Sequence, residues 1–261
     1  MKKTLLAGLL FIGTLAHAQK SGLIHADNAQ LRKVGSFTAI NVSNAIDLYL
    51  TQSGTNEVAV SASTDEYRDK IITEVEGGTL IIKMDHKNGW FNWKYWGNTK
   101  AKAYVSVKDI DAIIASGATN VRIITKVESP KLKIRLSGAS DFKGVLEVGA
   151  LNLQVSGASD FKGRIEAKSL VLDASGASTV ELDGNVEDLS ADVSGASNTK
   201  LQDLKAKGGT VQTSGASTAK VNVSQLLKLD ASGASTIHYY GAPNRKEIKN
   251  TGSSTIRQHN D

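Results

Sequence analysis

The second half of the chain repeats a four-residue pattern, (Ser/Thr)-Gly-(Ala/Ser)-(Ser/Thr), at nearly constant spacing. The copies begin at Ser116, Ser137, Ser156, Ser175, Ser194, Ser214, Ser232 and Thr251, and successive copies lie 18 to 21 residues apart. Such a period is too short for a helical hairpin repeat or a propeller blade, and the asparagine-containing consensus of leucine-rich repeats is missing. The spacing therefore favours one coil of a β-solenoid per repeat.

Side chains alternate between apolar and polar on both sides of each tetrad, as in strands with one buried face. Segments such as LKIRL (132–136) and LNLQV (151–155) precede the tetrad. A second inward column follows the tetrad at Val121, Phe142, Phe161, Val180, Thr199, Ala219, Ile237 and Ile256. We therefore expect an all-β protein, a right-handed single-stranded parallel β-helix of about ten or eleven coils of roughly 19 residues.

The tetrad is expected to form the corner between two strands of a coil. Its second residue is always glycine, which adopts a positive φ without steric cost. Small Ala and Ser side chains allow coils to stack about 4.8 Å apart, with hydroxyls bonding between coils. A structural role is thus favoured over a row of catalytic serines. The corner glycines are Gly117, Gly138, Gly157, Gly176, Gly195, Gly215, Gly233 and Gly252.

The chain start has the features of an export signal. Residues 1–18 combine two lysines, a short apolar run and a small-x-small end, Ala16-His17-Ala18. The apolar run is shorter than the roughly 20 residues of a spanning helix, so a retained membrane anchor is the weaker reading. We expect a leader segment at 19–33, a β-helix domain at 34–258, and no membrane-spanning segment in the mature chain. The absence of cysteine is compatible with the periplasm, the outer membrane or secretion.

The N-terminal third contains less regular versions of the same pattern. Ser43-Asn44-Ala45 lies between alternating apolar residues and is a degenerate corner, and VAVSAST (58–64) is expected to form another irregular coil. Ser63 and Glu66 form a possible capping box for a short helix that continues to Ile71 or Ile72. Residues 79–84 and 101–107 are predicted to be strands.

Taken together, these segments resemble the head GIN domain family, which is named as "putative auto-transporter adhesins". The resemblance rests on FTAINVSNAIDLYLTQ, GGTLIIKM, KAYVSVKDIDAIIASGATN and the SGAS repeats, and it extends over roughly residues 34–256. It implies an exported right-handed β-helical domain. It brings no catalytic motif and no established activity.

One outward-facing position of each coil, six residues after the first residue of the tetrad, is usually basic. We call its cationic members the basic stripe: Arg122, Lys143, Lys162, Lys200, Lys220 and Arg257, with Glu181 and His238 at the two other positions. Stacked coils would make this stripe roughly 35 Å long. It could bind an acidic glycan or lipopolysaccharide phosphates. Alternatively, these charges only keep exposed strands from aggregating.

An aromatic insertion, residues 86–98, separates the two strands predicted at 79–84 and 101–107. It contains Trp90, Phe91, Trp93, Tyr95 and Trp96, including all three tryptophans of the chain. Such a cluster is typical of a binding surface for sugars, lipid or protein. The alternative is a hydrophobic flap that packs on the solenoid.

No catalytic, metal or cofactor motif stands out, and we expect neither metal nor cofactor. The histidines after residue 18, His25, His86, His238 and His259, are scattered. Asp141 and Asp160 should be adjacent in neighbouring coils, which could raise one pKa or bind a cation, although lysines two residues on favour simple charge balance.

The leading hypothesis is a non-catalytic, exported binding or adhesion module for a glycan or an envelope protein. The alternatives are a self-associating structural envelope protein, which would be a homo-oligomer, and a polysaccharide-degrading enzyme, which only fold analogy supports. Without residues 1–18 the net charge falls from +5 to +3, too mild to indicate nucleic acid.

Overall fold

The computed structural model describes residues 28–85 and 100–259, which form one β-sheet and one short helix. The elements are β1 (Gln30–Arg32), β2 (Ala39–Val42), β3 (Ile46–Gln52), β4 (Glu57–Ser61), α1 (Asp65–Asp69), β5 (Ile71–Glu76), β6 (Thr79–Met84), β7 (Ala101–Val107), β8 (Ala112–Ala115), β9 (Asn120–Ile123), β10 (Val127–Leu136), β11 (Asp141–Val155), β12 (Asp160–Ala174), β13 (Thr179–Val193), β14 (Asn198–Thr213), β15 (Thr218–Ala231), β16 (Thr236–Tyr240), β17 (Arg245–Asn250) and β18 (Thr255–Gln258).

From β8 onward the strands stack in parallel, each coil on the one before it. Asp141 pairs with Asp160 at one end of β11, and Val155 pairs with Ala174 at the other end. Each long strand carries the segment after one corner and the segment before the next. The expected all-β solenoid with coils of about 19 residues is confirmed, with about eight coils in the regular stack.

The interior of the solenoid is filled by the inward columns that the alternation predicted. Phe142 and Phe161 stack with ring centroids 4.5 Å apart, and Leu153 and Leu172, further along the same two strands, are also buried. Because the coils up to β16 bury the same columns, the core runs along the stack as far as β16, whereas Ile248 in the last coil is exposed.

The second and third strands form a coil that continues the regular stack. β2 and β3 pair in parallel with β8 and β9. The connection between β2 and β3 has positive φ at Asn44 (64°) and Ala45 (58°). The amide of Ser116 in the next coil donates to the Val42 carbonyl at this corner. The predicted degenerate corner is therefore confirmed. On its other side β6 and β7 form one more parallel layer with β2 and β3.

The expectation that residues 58–64 form a further coil is wrong. β4 pairs antiparallel with β7, β1 pairs antiparallel with β4, and β5 pairs antiparallel with β6. These strands cover edges that would otherwise leave backbone groups unpaired at the end of the stack. The coils with tetrads are therefore extended by the β2–β3 coil and the β6–β7 layer, and not by residues 58–64.

The predicted short helix is present, but it begins one residue later than expected, with its N-cap at Thr64 instead of Ser63, and it ends earlier. Its N-cap is Thr64, whose hydroxyl accepts from the Tyr67 amide at 3.3 Å. The helix ends at Asp69, because Ile71 is taken up by β5, where it pairs with Met84. Within the described residues, no helix is long and apolar enough to cross a membrane.

Candidate functional site

The corner glycines occupy the left-handed conformation that the tetrad required. Their φ values lie between 71° and 84°, and the amide of Ala139 donates to the Gly117 carbonyl at 2.7 Å. A Cβ on Gly138 would lie 2.5 Å from the Gly117 carbonyl oxygen. The corners thus hold neighbouring coils at backbone contact distance.

The last residue of each tetrad points inward and hydrogen-bonds the corner. Ser140 and Ser217 are buried, and each hydroxyl donates at 2.9 Å to the carbonyl of the first serine of its own tetrad. The Ser178 hydroxyl instead donates to the Ser197 hydroxyl of the next coil. The buried hydroxyls bond the backbone of the corner or a hydroxyl of the next coil, which gives these serines a structural role and leaves them no exposed reactive face.

The structure brings the six members of the basic stripe into one in-register column. The register is Arg122–Lys143–Lys162–Glu181–Lys200–Lys220–His238–Arg257. Glu181, at the centre, accepts a hydrogen bond from Lys162 and lies 3.9 Å from the Lys200 ammonium. The hydrogen bond lowers the pKa of the Glu181 carboxyl and raises the pKa of Lys162.

Charge along the basic stripe is therefore concentrated at its two ends. Within residues 28–85 and 100–259, no carboxylate forms a salt bridge with Arg122, Lys143, Lys220 or Arg257. Tyr49 extends the column beyond Arg122 and stacks on Tyr104 with centroids 5.2 Å apart. Because Tyr104 is buried and Tyr49 is half-buried, the cations of the stripe are the groups available to an anionic ligand.

The expected contact between Asp141 and Asp160 exists in the adjacent outward column. Burial, and secondarily the charge of Asp160, raises the pKa of the Asp141 carboxyl. Among the described residues no group of three or more His, Asp or Glu side chains is placed to hold a metal ion. Asn120 and Thr179 are the next members of the column, and Asn120 donates to Asp47 at 2.7 Å.

Two histidines that the sequence left scattered come together at the end of the solenoid. His238 Nδ1 lies 2.7 Å from His259 Nε2, and the His259 ring also stacks on Tyr240. Burial is the main cause that lowers the pKa of His238, followed by the charges of His259, Lys220 and Arg257. A spacing of 21 residues between the histidines, close to the repeat period, was the signal that could have predicted this pair.

A polar groove that sequence reasoning missed lies where the repeat period changes. It is formed by β12, β13 and β14 and lined by Arg164, Asp183, Gly184, Asn185, Asp203 and Lys205, with a volume of about 420 Å³. The tetrads that flank this region are 20 and then 18 residues apart. This departure from 19 was the available signal, because an extra residue in one strand produces a β-bulge.

The aromatic insertion, residues 86–98, is the second candidate site that the sequence analysis named. Trp90, Phe91, Trp93, Tyr95 and Trp96 lie outside the described residues, as do residues 1–27 with the predicted export signal. The insertion connects β6 to β7, which pair with β2 and β3 on either side of the Ser43–Ala45 corner.

Comparisons with known proteins agree with this architecture. A family model described as "Putative auto-transporter adhesin, head GIN domain" matches residues 36–162 and 143–243. A comparison with curated proteins finds no match.

Solved structures from three bacteria share the fold. One from Parabacteroides merdae, described as a "putative adhesin", is 18% identical, covers 88% of this chain and 95% of its own, and has a TM-score of 0.78. A "putative lipid binding protein" from Parabacteroides distasonis is 22% identical with 88% and 97% coverage and a TM-score of 0.76. A "putative adhesin" from Bacteroides fragilis is 22% identical with 88% and 96% coverage and a TM-score of 0.65. Because the family model matches most of the stacked coils, this chain belongs to the head GIN domain family.

Proposed function

We propose that this protein is an exported, non-catalytic adhesion module that binds an anionic polymer of the cell envelope, an acidic glycan or phosphorylated lipopolysaccharide, through the basic stripe. The observation that carries the proposal is the in-register column of Lys and Arg on one sheet. At about 4.8 Å per coil, the column from Arg122 to Arg257 is roughly 35 Å long. A polymer with regularly spaced charges can contact both of its cationic ends at once.

The charge distribution favours a polymer over a small anion. Lys162 and Lys200 are engaged with Glu181, whereas Lys143 and Lys220 lie four coils apart with no salt bridge among the described residues. Four coils correspond to roughly 19 Å, which exceeds the Debye length of about 8 Å at physiological salt. One small anion cannot bridge that distance. A polymer bound at one end of the stripe raises the effective concentration of its own charges at the other end.

Membership of a family named for adhesins supports a binding role, and the family name includes no catalytic activity. Export follows from the signal peptide proposed at residues 1–18, with the periplasm, the outer membrane or the medium as destination. The aromatic residues of the 86–98 insertion are proposed as additional contacts for sugar faces or lipid.

The basic stripe is tested by charge reversal on a panel of polyanions. Binding of residues 19–261 to immobilised polygalacturonate, chondroitin sulfate, and lipopolysaccharide with and without its phosphates is measured by interferometry at several salt concentrations. Lys143→Glu with Lys220→Glu should lower the affinity at least tenfold at low salt, and wild-type affinity should fall steeply as salt increases.

The matched control is Lys131→Glu with Lys133→Glu. These lysines are exposed on β10, on the strand before a corner, and the net charge changes by the same amount. An equal loss of affinity in the control would mean that only net charge matters, and absence of binding to every polyanion would refute the proposal. Loss of binding in a Trp93→Ala, Trp96→Ala variant would add the insertion to the binding surface.

A further inference from the structure

The stack has one irregular region on the sheet that carries the basic stripe. Between β13 and β14 the register shifts after Glu181, and between β14 and β15 it shifts after Leu201, so that residues 202–204 have no partner in β15. Gly184 faces this bulge with φ 110°, and a Cβ there would lie 2.1 Å from the Ile165 carbonyl oxygen. The bulge turns side chains away from the columns they would otherwise join.

The bulge produces two adjoining depressions that share Asn185 and Lys205. The first has a volume of about 420 Å³, and the second, of about 450 Å³, continues towards Glu187, Lys207 and Ser224. The groove is about three coils wide, roughly 10 Å, and from Asp183 to Glu187 it is about 13 Å long. Each depression is within the size range of small-molecule sites.

Several polar groups of the groove are held in place by ion pairs and hydrogen bonds. Arg164 donates to Asp183 at 2.9 Å, and Asn185 donates to both carboxylate oxygens of Glu166 at 3.0 and 3.1 Å. The Asp203 carboxylate accepts from the Gln202 side chain at 3.1 Å. These carboxylates have lone pairs left for further donors, which makes them preoriented acceptors.

The charges of the first depression cancel. Arg164 and Lys205 are balanced by Asp183 and Asp203, and these four side chains and the Asn185 amide offer donors and acceptors within one groove. A balanced site does not favour a ligand with net charge. Hydroxyl groups fit it well, because each hydroxyl both donates to a carboxylate and accepts from a cation or an amide.

From this geometry we infer that the groove over the bulge is a binding site for a neutral saccharide of about two sugar units. The first unit contacts Asp183, Asp203 and Lys205, and the second contacts Glu187 and Lys207. The site is separate from the basic stripe in its chemistry, since its contacts are hydrogen bonds to uncharged hydroxyls.

The test uses an array of neutral di- to hexasaccharides built from hexoses and N-acetylhexosamines. Binding of residues 19–261 is measured at about 500 mM NaCl, where contacts of the basic stripe to anions are screened. Wild-type protein should bind at least one neutral saccharide. Asp203→Ala and Lys205→Ala, each at an exposed position, should each weaken that binding about tenfold or more.

The matched control is Asp192→Ala, an exposed aspartate on the strand that precedes a corner. It should bind as the wild type does, and the unfolding temperatures of all variants should agree. The inference is overturned if the wild type binds no neutral saccharide, or if both groove variants bind like the wild type. Loss of polyanion binding in the Lys143→Glu, Lys220→Glu variant with saccharide binding retained would separate the two sites.

Discussion

At the scale of single residues, the corner glycines meet two requirements at once, a positive φ and a close approach of the neighbouring coil. Gly176 has φ 79°, and a Cβ on it would lie 2.7 Å from the Gly157 carbonyl oxygen. The amide of Ala177 donates to the same carbonyl at 2.8 Å, so the neighbouring coil cannot withdraw without losing a hydrogen bond. Both the backbone conformation and the available space therefore select glycine.

We expect Gly176→Ala to lower the free energy of unfolding by about 2–4 kcal/mol, because it adds backbone strain and a steric overlap. Denaturant unfolding followed by circular dichroism measures the change. Gly35→Ala is the control, since a Cβ there meets nothing within 4 Å, and it should change stability by less than about 1 kcal/mol. Equal effects of the two substitutions would contradict the role given to the corner.

At the scale of elements, the last coil differs from the coils it stacks on. β17 pairs only with β15 and β18 only with β16 among the described strands, so both leave one edge open. His238 on β16 and His259 after β18 hydrogen-bond across this coil at 2.7 Å. The charged groups that face His238 are His259 together with Lys220 on β15 and Arg257 on β18.

We expect the last coil to loosen as the pH falls below about 6.5. The pKa of His238 is lowered from 6.5 in the folded state, so the unfolded state takes up the proton first. Stability is therefore full above pH 6.5 and is lost as the pH falls towards the lowered pKa. Hydrogen exchange of residues 236–259, corrected for intrinsic rates, should be roughly tenfold faster at pH 5 than at pH 7.5.

His238→Gln is the variant that isolates this effect, because glutamine can hydrogen-bond but does not titrate. Its corrected exchange in the last coil should change little between the two pH values. If the variant kept the wild-type pH dependence, another group would be responsible.

At the scale of the whole molecule, the two ends of the stack are finished differently. β4, β1 and β5 cover the end formed by β6 and β7. At the other end, Lys246 occupies the inward position that Leu227 occupies in the preceding coil. Its ammonium lies 5.8 Å from the centroid of the Tyr239 ring. A charged residue at an inward position makes the open end less favourable as an apolar docking surface.

Replacement of Lys246 by leucine should therefore promote self-association. Lys246→Leu extends the apolar column to the open end, and its mass in light scattering should increase with concentration in the range of about 10–100 µM. Lys249→Leu is the control, because Lys249 lies on the outward side of β17, where it pairs with Asp230 at 3.3 Å. A constant mass for Lys246→Leu would contradict this role of the lysine.

The same experiment bears on the alternative function considered from the sequence, a self-associating structural protein. A wild-type mass that rises with concentration would favour that alternative over a monomeric binding module. The open edges of β17 and β18 are the feature that supports it.

The repeat allowed most of the regular stack to be predicted. The tetrads located the corners, and the alternation of side chains located the inward columns, because a strand with one buried face has a period of two. The basic stripe followed from the same alignment, since identical positions in successive coils must stack. The reversal of direction in β4 was not predictable, because VAVSAST carries the same local signals as a parallel coil.

By itself the sequence determined the solenoid, its coil length, its corner glycines and the column of the basic stripe, because these depend on a short period that each coil repeats. Only the tertiary structure decided how the stack ends, which histidines meet, and where the groove opens. These features arise from contacts between coils that differ from one another: Glu181 against Lys162, His238 against His259, and the bulge at residues 202–204 against β15. A residue that departs from the repeat has no equivalent in the other coils, so the repeat does not predict its contacts. Those contacts depend on the neighbouring coil against which the residue packs.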